Sequence, residues 1–120
     1  MITIAFAWQF AREWTDAWNR HDVESVLEHY TEDFEMSSLY IAMIAGEPSG
    51  TLKGKAAVRA YWIAALARMP ALKFDLIQAL VGVDSITIHY RGVRGMAAEV
   101  FFFNAESKVT RAFAHYAQDL

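Results

Sequence analysis

Two kinds of hydrophobic spacing divide the chain. Near its start, apolar residues recur every three or four positions, which is the period of a helix with one buried face. The predicted buried face holds Ala7, Phe10, Ala11, Trp14 and Trp18, and the polar face holds Gln9, Arg12, Glu13, Asp16 and Arg20. The first twenty residues are therefore predicted to form an amphipathic helix.

Two further helices are predicted in the first half of the chain. Asp22 has the character of an N-cap, and the short helix after it would bury Val23, Val26, Leu27 and Tyr30. A third helix is predicted from about Lys55 to Met69, where Pro70 ends it. Between the second and third helices the spacing changes to two. One predicted strand there carries Phe34, Met36, Ser38 and Tyr40 on a single face.

The second half of the chain reads as strands joined by short turns. The predicted strands are Leu72–Val83, Ile86–Arg91, Met96–Asn104 and Lys108–Gln118. Short joins between consecutive strands favour antiparallel pairing. Helices followed by strands predict one α+β domain over residues 1–120, with three helices of the N-terminal half packed on one face of a curved mixed sheet.

Glu99 is the one ionisable residue in the apolar run Gly95–Asn104. An unpaired ionised carboxylate in such a strand would cost several kcal/mol. Glu99 is therefore paired with a buried donor, held neutral by a raised pKa, or placed in a cavity where its chemistry is used. The sequence favours the cavity, and a structural partner for a buried Trp, Tyr or Arg stays the alternative.

Alternation along the strands predicts which residues share a face with Glu99. If Glu99 points toward the helices, the last two strands add the following to that face: Ala97, Phe101, Phe103, Thr110, Ala112, Ala114 and Tyr116. The three alanines in this set are small, so we expect space between the sheet and the aromatic helices. The outer face would hold Val100, Phe102 and Phe113, and an apolar patch there predicts a homodimer through this face.

Composition narrows the classes of function. The net charge of -3 argues against nucleic acid as the partner, because phosphate binding needs a basic surface. The chain has no cysteine, which excludes thiolate chemistry and Cys-type zinc sites. No His and carboxylate pair has metal-ligand spacing, so neither a metal nor a cofactor is expected. We see neither a signal-peptide pattern nor an apolar run long enough for a membrane span, and the expectation is a cytoplasmic protein with no membrane partner.

Four segments, in order, resemble the nuclear-transport-factor-2-like superfamily, in particular its SnoaL-like and ketosteroid-isomerase-like branch. The segments are Ala17-Trp-Asn-Arg-His-Asp22, Tyr30-Thr-Glu-Asp-Phe34, Gly54-Lys-Ala-Ala-Val-Arg-Ala-Tyr-Trp62, and Phe101-Phe-Phe-Asn with Ser107-Lys-Val109. The resemblance covers nearly the whole chain. It implies a cone-shaped curved sheet around an apolar pocket, in a protein that is usually dimeric through the sheet.

The resemblance also assigns roles to single positions. Glu99 matches the protonated oxyanion-hole aspartate of ketosteroid isomerases, Trp14 matches their oxyanion-hole tyrosine, and Tyr30 keeps a supporting tyrosine. Ser38 stands where those enzymes have their aspartate base. A serine cannot take up a proton at neutral pH, so steroid isomerisation by that mechanism is not expected. The Arg-x-Asp strand motif of epoxide-hydrolysing relatives is also missing.

These observations predict a small-molecule-binding domain. The candidate catalytic residues are Glu99, Trp14, Tyr30 and Ser38. The candidate ligand-binding residues are Trp18, Tyr61, Trp62, Ala97, Phe101, Phe103, Ala112, Ala114 and Tyr116. The expected ligand is a small hydrophobic or polyketide-like compound, which Glu99 would isomerise, cyclise or dehydrate. A non-catalytic ligand-binding domain and a protein-interaction domain of the same fold are the alternatives.

Overall fold

The computed structural model describes residues 1–118, and within them helices and strands alternate before a run of four strands. The helices are α1 (Ile4–Asn19), α2 (Val23–Leu27), α3 (Leu39–Ile44) and α4 (Lys55–Arg68). The strands are β1 (Tyr30–Ser37), β2 (Thr51–Lys53), β3 (Asp75–Val81), β4 (Ser85–Gly92), β5 (Gly95–Phe103) and β6 (Val109–Tyr116). They form one mixed sheet in the order β2-β1-β6-β5-β4-β3, in which β1 and β6 pair in parallel and the other neighbours are antiparallel. The predicted α+β architecture is confirmed.

The predicted helix faces form the core. All five apolar residues predicted for α1 are buried, and the Thr3 side chain caps the helix by accepting from the Phe6 N–H at 3.0 Å. Asp22 caps α2 as expected and accepts from the Ser25 N–H at 3.2 Å. Gly54 precedes α4 with φ of 90°, a conformation that favours glycine, and its N–H donates to the Phe34 carbonyl at 2.7 Å. This bond ties the start of α4 to β1.

The inward sense of the strands follows the alternation except at one position. Glu99, Ala97, Phe101 and Phe103 are buried. Along β6 the register places Tyr116, Ala114 and Ala112 opposite Ala97, Glu99 and Phe101 respectively, so these pairs share a face. The prediction that Thr110 points inward was wrong. The register shifts between Phe102 and Phe103, and Val109, fully buried, takes the inward place opposite Phe103.

Residues 38–54 and 72–74 differ from the sequence-based expectation. The predicted strand does not continue to Tyr40, because the Ser38 hydroxyl accepts from the Tyr40 N–H at 3.2 Å and caps α3, a fourth helix that was not predicted. The short strand β2 was not predicted either. Leu72 precedes β3, which begins at Asp75.

The outer face of the sheet is apolar but partly covered. Val100, Phe102 and Phe113 are each partly buried. The Arg111 guanidinium lies 4.7 Å from the Phe102 ring centroid and 5.8 Å from that of Phe113, which shields both rings. The homodimer through this face stays a prediction. No helix within residues 1–118 is long and apolar enough to cross a membrane.

Candidate functional site

Glu99 lies in the middle of β5, between Ile88 of β4 and Ala114 of β6. Only 4% of the residue is exposed, and no hydrogen bond to its carboxyl is found among residues 1–118. Burial raises the pKa of Glu99 to about 8, since removal from water penalises the charged form. A carboxyl with this pKa is predominantly a neutral hydrogen-bond donor at pH 7.

Four tyrosines surround the Glu99 carboxyl closely enough to feel its charge. They are Tyr30, Tyr61, Tyr90 and Tyr116, and in each the pKa is raised first by burial and further by Glu99. The pKa of Tyr61 rises to about 12. All four hydroxyls are therefore protonated at neutral pH and can donate hydrogen bonds.

Several of these hydroxyls are held in place by neighbouring side chains. The Trp14 indole N–H donates to the Tyr30 hydroxyl at 3.1 Å. The Ser38 and Tyr116 hydroxyls are 2.9 Å apart. Ser38 therefore caps α3 and positions Tyr116.

An inner cavity lies beside Glu99, between the sheet and helices α1 and α4. Its water-accessible volume is about 70 Å³. It is lined by Trp14, Trp18, Met36, Tyr40, Tyr61, Trp62, Ala65, Met69, Leu72, Phe74, Tyr90, residues 92–95, Ala97, Glu99 and Tyr116. The cavity reaches the surface at the β4–β5 turn, where Val93 is half exposed. The walls are mainly aromatic, and Glu99 is the one carboxyl that residues 1–118 contribute to them.

Side-chain hydrogen bonds to the backbone hold one wall of the inner cavity. The Asn19 amide N–H donates to the Phe74 carbonyl at 2.9 Å, and the Phe74 N–H donates to the Asn19 side-chain oxygen at 2.7 Å. The His21 ring lies 2.9 Å from the Leu72 carbonyl oxygen. Residues 72–74 are thereby fixed to the end of α1, and the Phe74 ring lies 5.5 Å from that of Trp14 and 4.7 Å from that of Tyr90.

The residues predicted from sequence divide into three groups. Those in the wall of the inner cavity are Trp14, Trp18, Tyr61, Trp62, Ala97, Glu99 and Tyr116. Tyr30 and Ser38 lie behind the wall and hydrogen-bond residues in it. The structure places Phe101, Phe103, Ala112 and Ala114 away from the cavity wall, on the same face of the sheet. Sequence reasoning did not assign Tyr40, Tyr90 or Phe74 to the site, although all three line the cavity.

Trp18 offers a second polar group in the wall. Its indole N–H is buried and has no hydrogen-bond partner among the described residues. The ring is fixed on three sides, by Trp62 at 5.0 Å, Phe74 at 5.7 Å and Trp14 at 6.3 Å between centroids. A buried donor without a partner is costly, so the Trp18 N–H lowers the stability of this end of the core.

The described residues offer no obvious metal site. Within residues 1–118, no three His, Cys, Asp or Glu side chains converge as ligands would. The inner cavity contains one carboxyl and several hydroxyls and indoles, which suits hydrogen bonding and proton transfer.

Comparisons with known proteins agree with this architecture. A SnoaL-like protein of unknown function from Burkholderia thailandensis is 57% identical, with 98% of each chain covered and a TM-score of 0.93. Two structures share the fold at low identity. A proposed polyketide cyclase from Sinorhizobium meliloti is 14% identical (89% of this chain and 94% of that one, TM-score 0.69), and SalBIII, an epoxide hydrolase/cyclase-like enzyme of pyran ring formation in salinomycin, is 16% identical (95% and 92%, TM-score 0.72).

The family of the chain follows from its match to a family model. No curated protein matches the chain significantly. The family model of the SnoaL-like domain matches residues 11–116, which include every strand, helices α2 to α4 and the second half of α1. The chain belongs to the SnoaL-like domain family and has the nuclear-transport-factor-2-like fold.

Proposed function

We propose that this SnoaL-like domain binds a small hydrophobic carbonyl compound and moves a proton on it through Glu99. The observation that carries the proposal is the Glu99 carboxyl, which is buried, lacks a hydrogen bond among residues 1–118 and lines an aromatic cavity. A structural carboxyl would be expected to have a partner. These surroundings are the ones expected for a carboxyl that hydrogen-bonds a bound ligand.

The pKa of Glu99 allows this carboxyl both to donate and to accept a proton near neutral pH. With a pKa of about 8, the neutral acid predominates at pH 7 and about one carboxyl in ten is ionised. The neutral acid donates a hydrogen bond to a carbonyl oxygen that gains negative charge. The ionised form accepts a proton from the carbon next to a carbonyl and returns it to another atom of the same molecule. No oxidant or second base is needed, and the net result is isomerisation, cyclisation or dehydration.

The walls of the inner cavity favour a flat, apolar molecule with hydrogen-bond acceptors. The aromatic side chains of Trp14, Trp18 and Trp62 line the space, and the tyrosine hydroxyls of the wall can donate to an acceptor. A proposed polyketide cyclase and an enzyme of pyran ring formation in salinomycin have the same fold, which supports a polyketide-like ligand here.

Binding can be tested with 2-acetylnaphthalene, a neutral aromatic ketone. Isothermal titration calorimetry on wild type, Glu99→Leu and Ala97→Leu should show binding to wild type. Loss of one hydrogen bond in Glu99→Leu should weaken it by about tenfold. Ala97→Leu adds three carbons to the wall and should abolish it. An affinity that neither substitution changes, or no binding to wild type by this ketone and related aromatic ketones, would contradict the proposed site.

Proton transfer is tested separately from binding. In D2O, wild type should speed the exchange of the methyl protons of 2-acetylnaphthalene for deuterium, followed by NMR. Glu99→Gln keeps a donor of similar shape but cannot take up the proton, so exchange should fall to the uncatalysed rate while binding persists. Binding to wild type without exchange would instead support the second candidate, a non-catalytic ligand-binding domain, which the serine at the base position of the isomerases favours.

A further inference from the structure

A second, outer cavity shares part of its wall with the inner one. Four residues line both: Tyr40, Met69, Val93 and Arg94. The outer cavity adds Met43, Ile44 and Arg68, and its water-accessible volume is about 290 Å³. The two cavities therefore adjoin each other at α3 and the β4–β5 turn.

The volumes imply that the outer cavity holds most of any ligand. The inner cavity, at about 70 Å³, has room for a small group near Glu99. Pockets that hold drug-sized molecules have roughly 300–1,000 Å³. A ligand whose reactive group reaches Glu99 must then leave the rest of its body among Tyr40, Met43 and Met69.

The charged groups of the two cavities are distributed unevenly. Apart from Glu99, the charged residues that residues 1–118 contribute to the two walls are Arg68, which lines the outer cavity, and Arg94, which lines both. Arg68 is the last residue of α4, and none of the salt bridges among residues 1–118 includes it. Arg94 lies in the β4–β5 turn near Tyr40. A predominantly neutral acid lines the inner cavity, and the Arg68 guanidinium lines the outer one.

We propose that the ligand of this domain is an amphipathic carboxylate, with its apolar body and reactive carbonyl directed toward Glu99 and its carboxylate placed at Arg68. This proposal rests on the proposed function and adds the class of ligand. Guanidinium groups match carboxylates in shape and charge.

The experiment compares two probes that differ in one group. These are 2-acetylnaphthalene and 6-acetyl-2-naphthoic acid, which carries a carboxylate at the far end from the ketone. Wild type should bind the acid about tenfold more tightly than the ketone at 50 mM NaCl. Arg68→Gln should reduce this preference to about threefold, a modest loss because the ion pair is exposed, and should not change the affinity for the ketone. Arg68→Lys retains the positive charge and should keep most of the preference. At 500 mM NaCl the preference in wild type should shrink, since the salt screens the pair.

Two controls locate the effect. Arg12→Gln removes one positive charge from the exposed face of α1, far from both cavity walls, and should leave the preference at its wild-type value. Ala97→Leu should weaken the acid and the ketone together. Equal affinities for the two probes in wild type, or a preference that Arg68→Gln does not change, would overturn the carboxylate proposal and leave the proposed function standing. Failure of wild type to bind either probe would overturn both.

Discussion

The core has two aromatic ends that are built from the same elements, α1 and β5. At the closed end, Phe10 packs edge-on against Phe101 at 4.9 Å and Phe103 at 5.0 Å, and Phe6 meets Phe103 at 5.6 Å. At the open end, the same strand carries Ala97 and Glu99 and the helix carries Trp14 and Trp18, and a cavity separates them.

The difference between the two ends lies in side-chain size and polarity, since the backbone is continuous. Phenylalanines from both elements fill the closed end. An alanine on β5 leaves space at the open end, and the polar atoms there belong to Glu99, the tyrosines and an unpaired indole. Tight packing stabilises a fold, whereas unpaired polar groups and empty space reduce stability and are kept where a ligand uses them. The following predictions test this division.

The largest expected effect is the pH dependence that Glu99 gives to stability. Its pKa is about 8 in the folded protein against an ordinary value of 4.5, so the folded state retains a proton that the unfolded chain loses. Stability should therefore be highest below pH 4.5 for this group and fall by on the order of 5 kcal/mol as the pH rises past 8. Glu99→Gln should remove this loss and be more stable than wild type at pH 9, as measured by urea unfolding at several pH values.

A matched control separates this effect from net charge. Glu106→Gln removes one negative charge from an exposed turn and should leave the pH dependence of wild type intact. Parallel stability curves for wild type and Glu99→Gln between pH 5 and pH 9 would show that the Glu99 carboxyl ionises freely in the fold.

The next largest effect is expected at the closed end. Phe10→Ala removes the ring that meets Phe101 and Phe103 and should lower the free energy of unfolding by about 3–5 kcal/mol. Phe74→Ala, at the open end, removes a partly buried ring beside the inner cavity and should cost about half as much. Equal losses in urea unfolding would mean that the two ends are packed alike.

The smallest effect concerns the wall at residues 72–74. Asn19→Ala removes both hydrogen bonds to the Phe74 backbone and should lower the free energy of unfolding by about 1–2 kcal/mol and weaken the binding of 2-acetylnaphthalene. Asn104→Ala is the matched control, because this asparagine accepts from two backbone N–H groups in the β5–β6 turn, away from the cavity. It should lower stability similarly and leave affinity unchanged. If both variants bound the ketone like wild type, the Asn19 contact would have no role in the site.

Local sequence patterns predicted the elements with long periodic runs. The apolar face of α1 and the residues that share a face with Glu99 in β5 were predicted correctly, because each pattern repeats over several turns or pairs, whereas the inward direction of Glu99 was assumed and the structure shows it buried. The prediction for the segment after β1 was wrong for a local reason. Ser38 continues the period of two, yet its hydroxyl caps a helix, and the uninterrupted apolar run Leu39–Ile44 was the signal that could have shown this.

The extent of the cavity depends on contacts between distant parts of the chain. Alternation shows that Ala97, Glu99, Phe101 and Phe103 share a face, but it does not show where along that face the helix packs tightly. The wall at Phe74 is set by Asn19, which is 55 residues away in the sequence. Thr110 does not point inward as predicted, because a register shift near Phe103 places Val109 there instead. The sequence of one strand does not show its register with the neighbouring strand.

The central claim is that Glu99 is a predominantly neutral acid in a ligand cavity, and its ionisation can be measured directly. The side-chain carboxyl of Glu99, labelled with ¹³C and assigned by its absence in Glu99→Gln, can be titrated by NMR with and without 2-acetylnaphthalene. We predict a pKa near 8 in the free protein and a change of both chemical shift and pKa when the ketone is bound. A pKa close to 4.5 that the ketone does not alter would contradict the account.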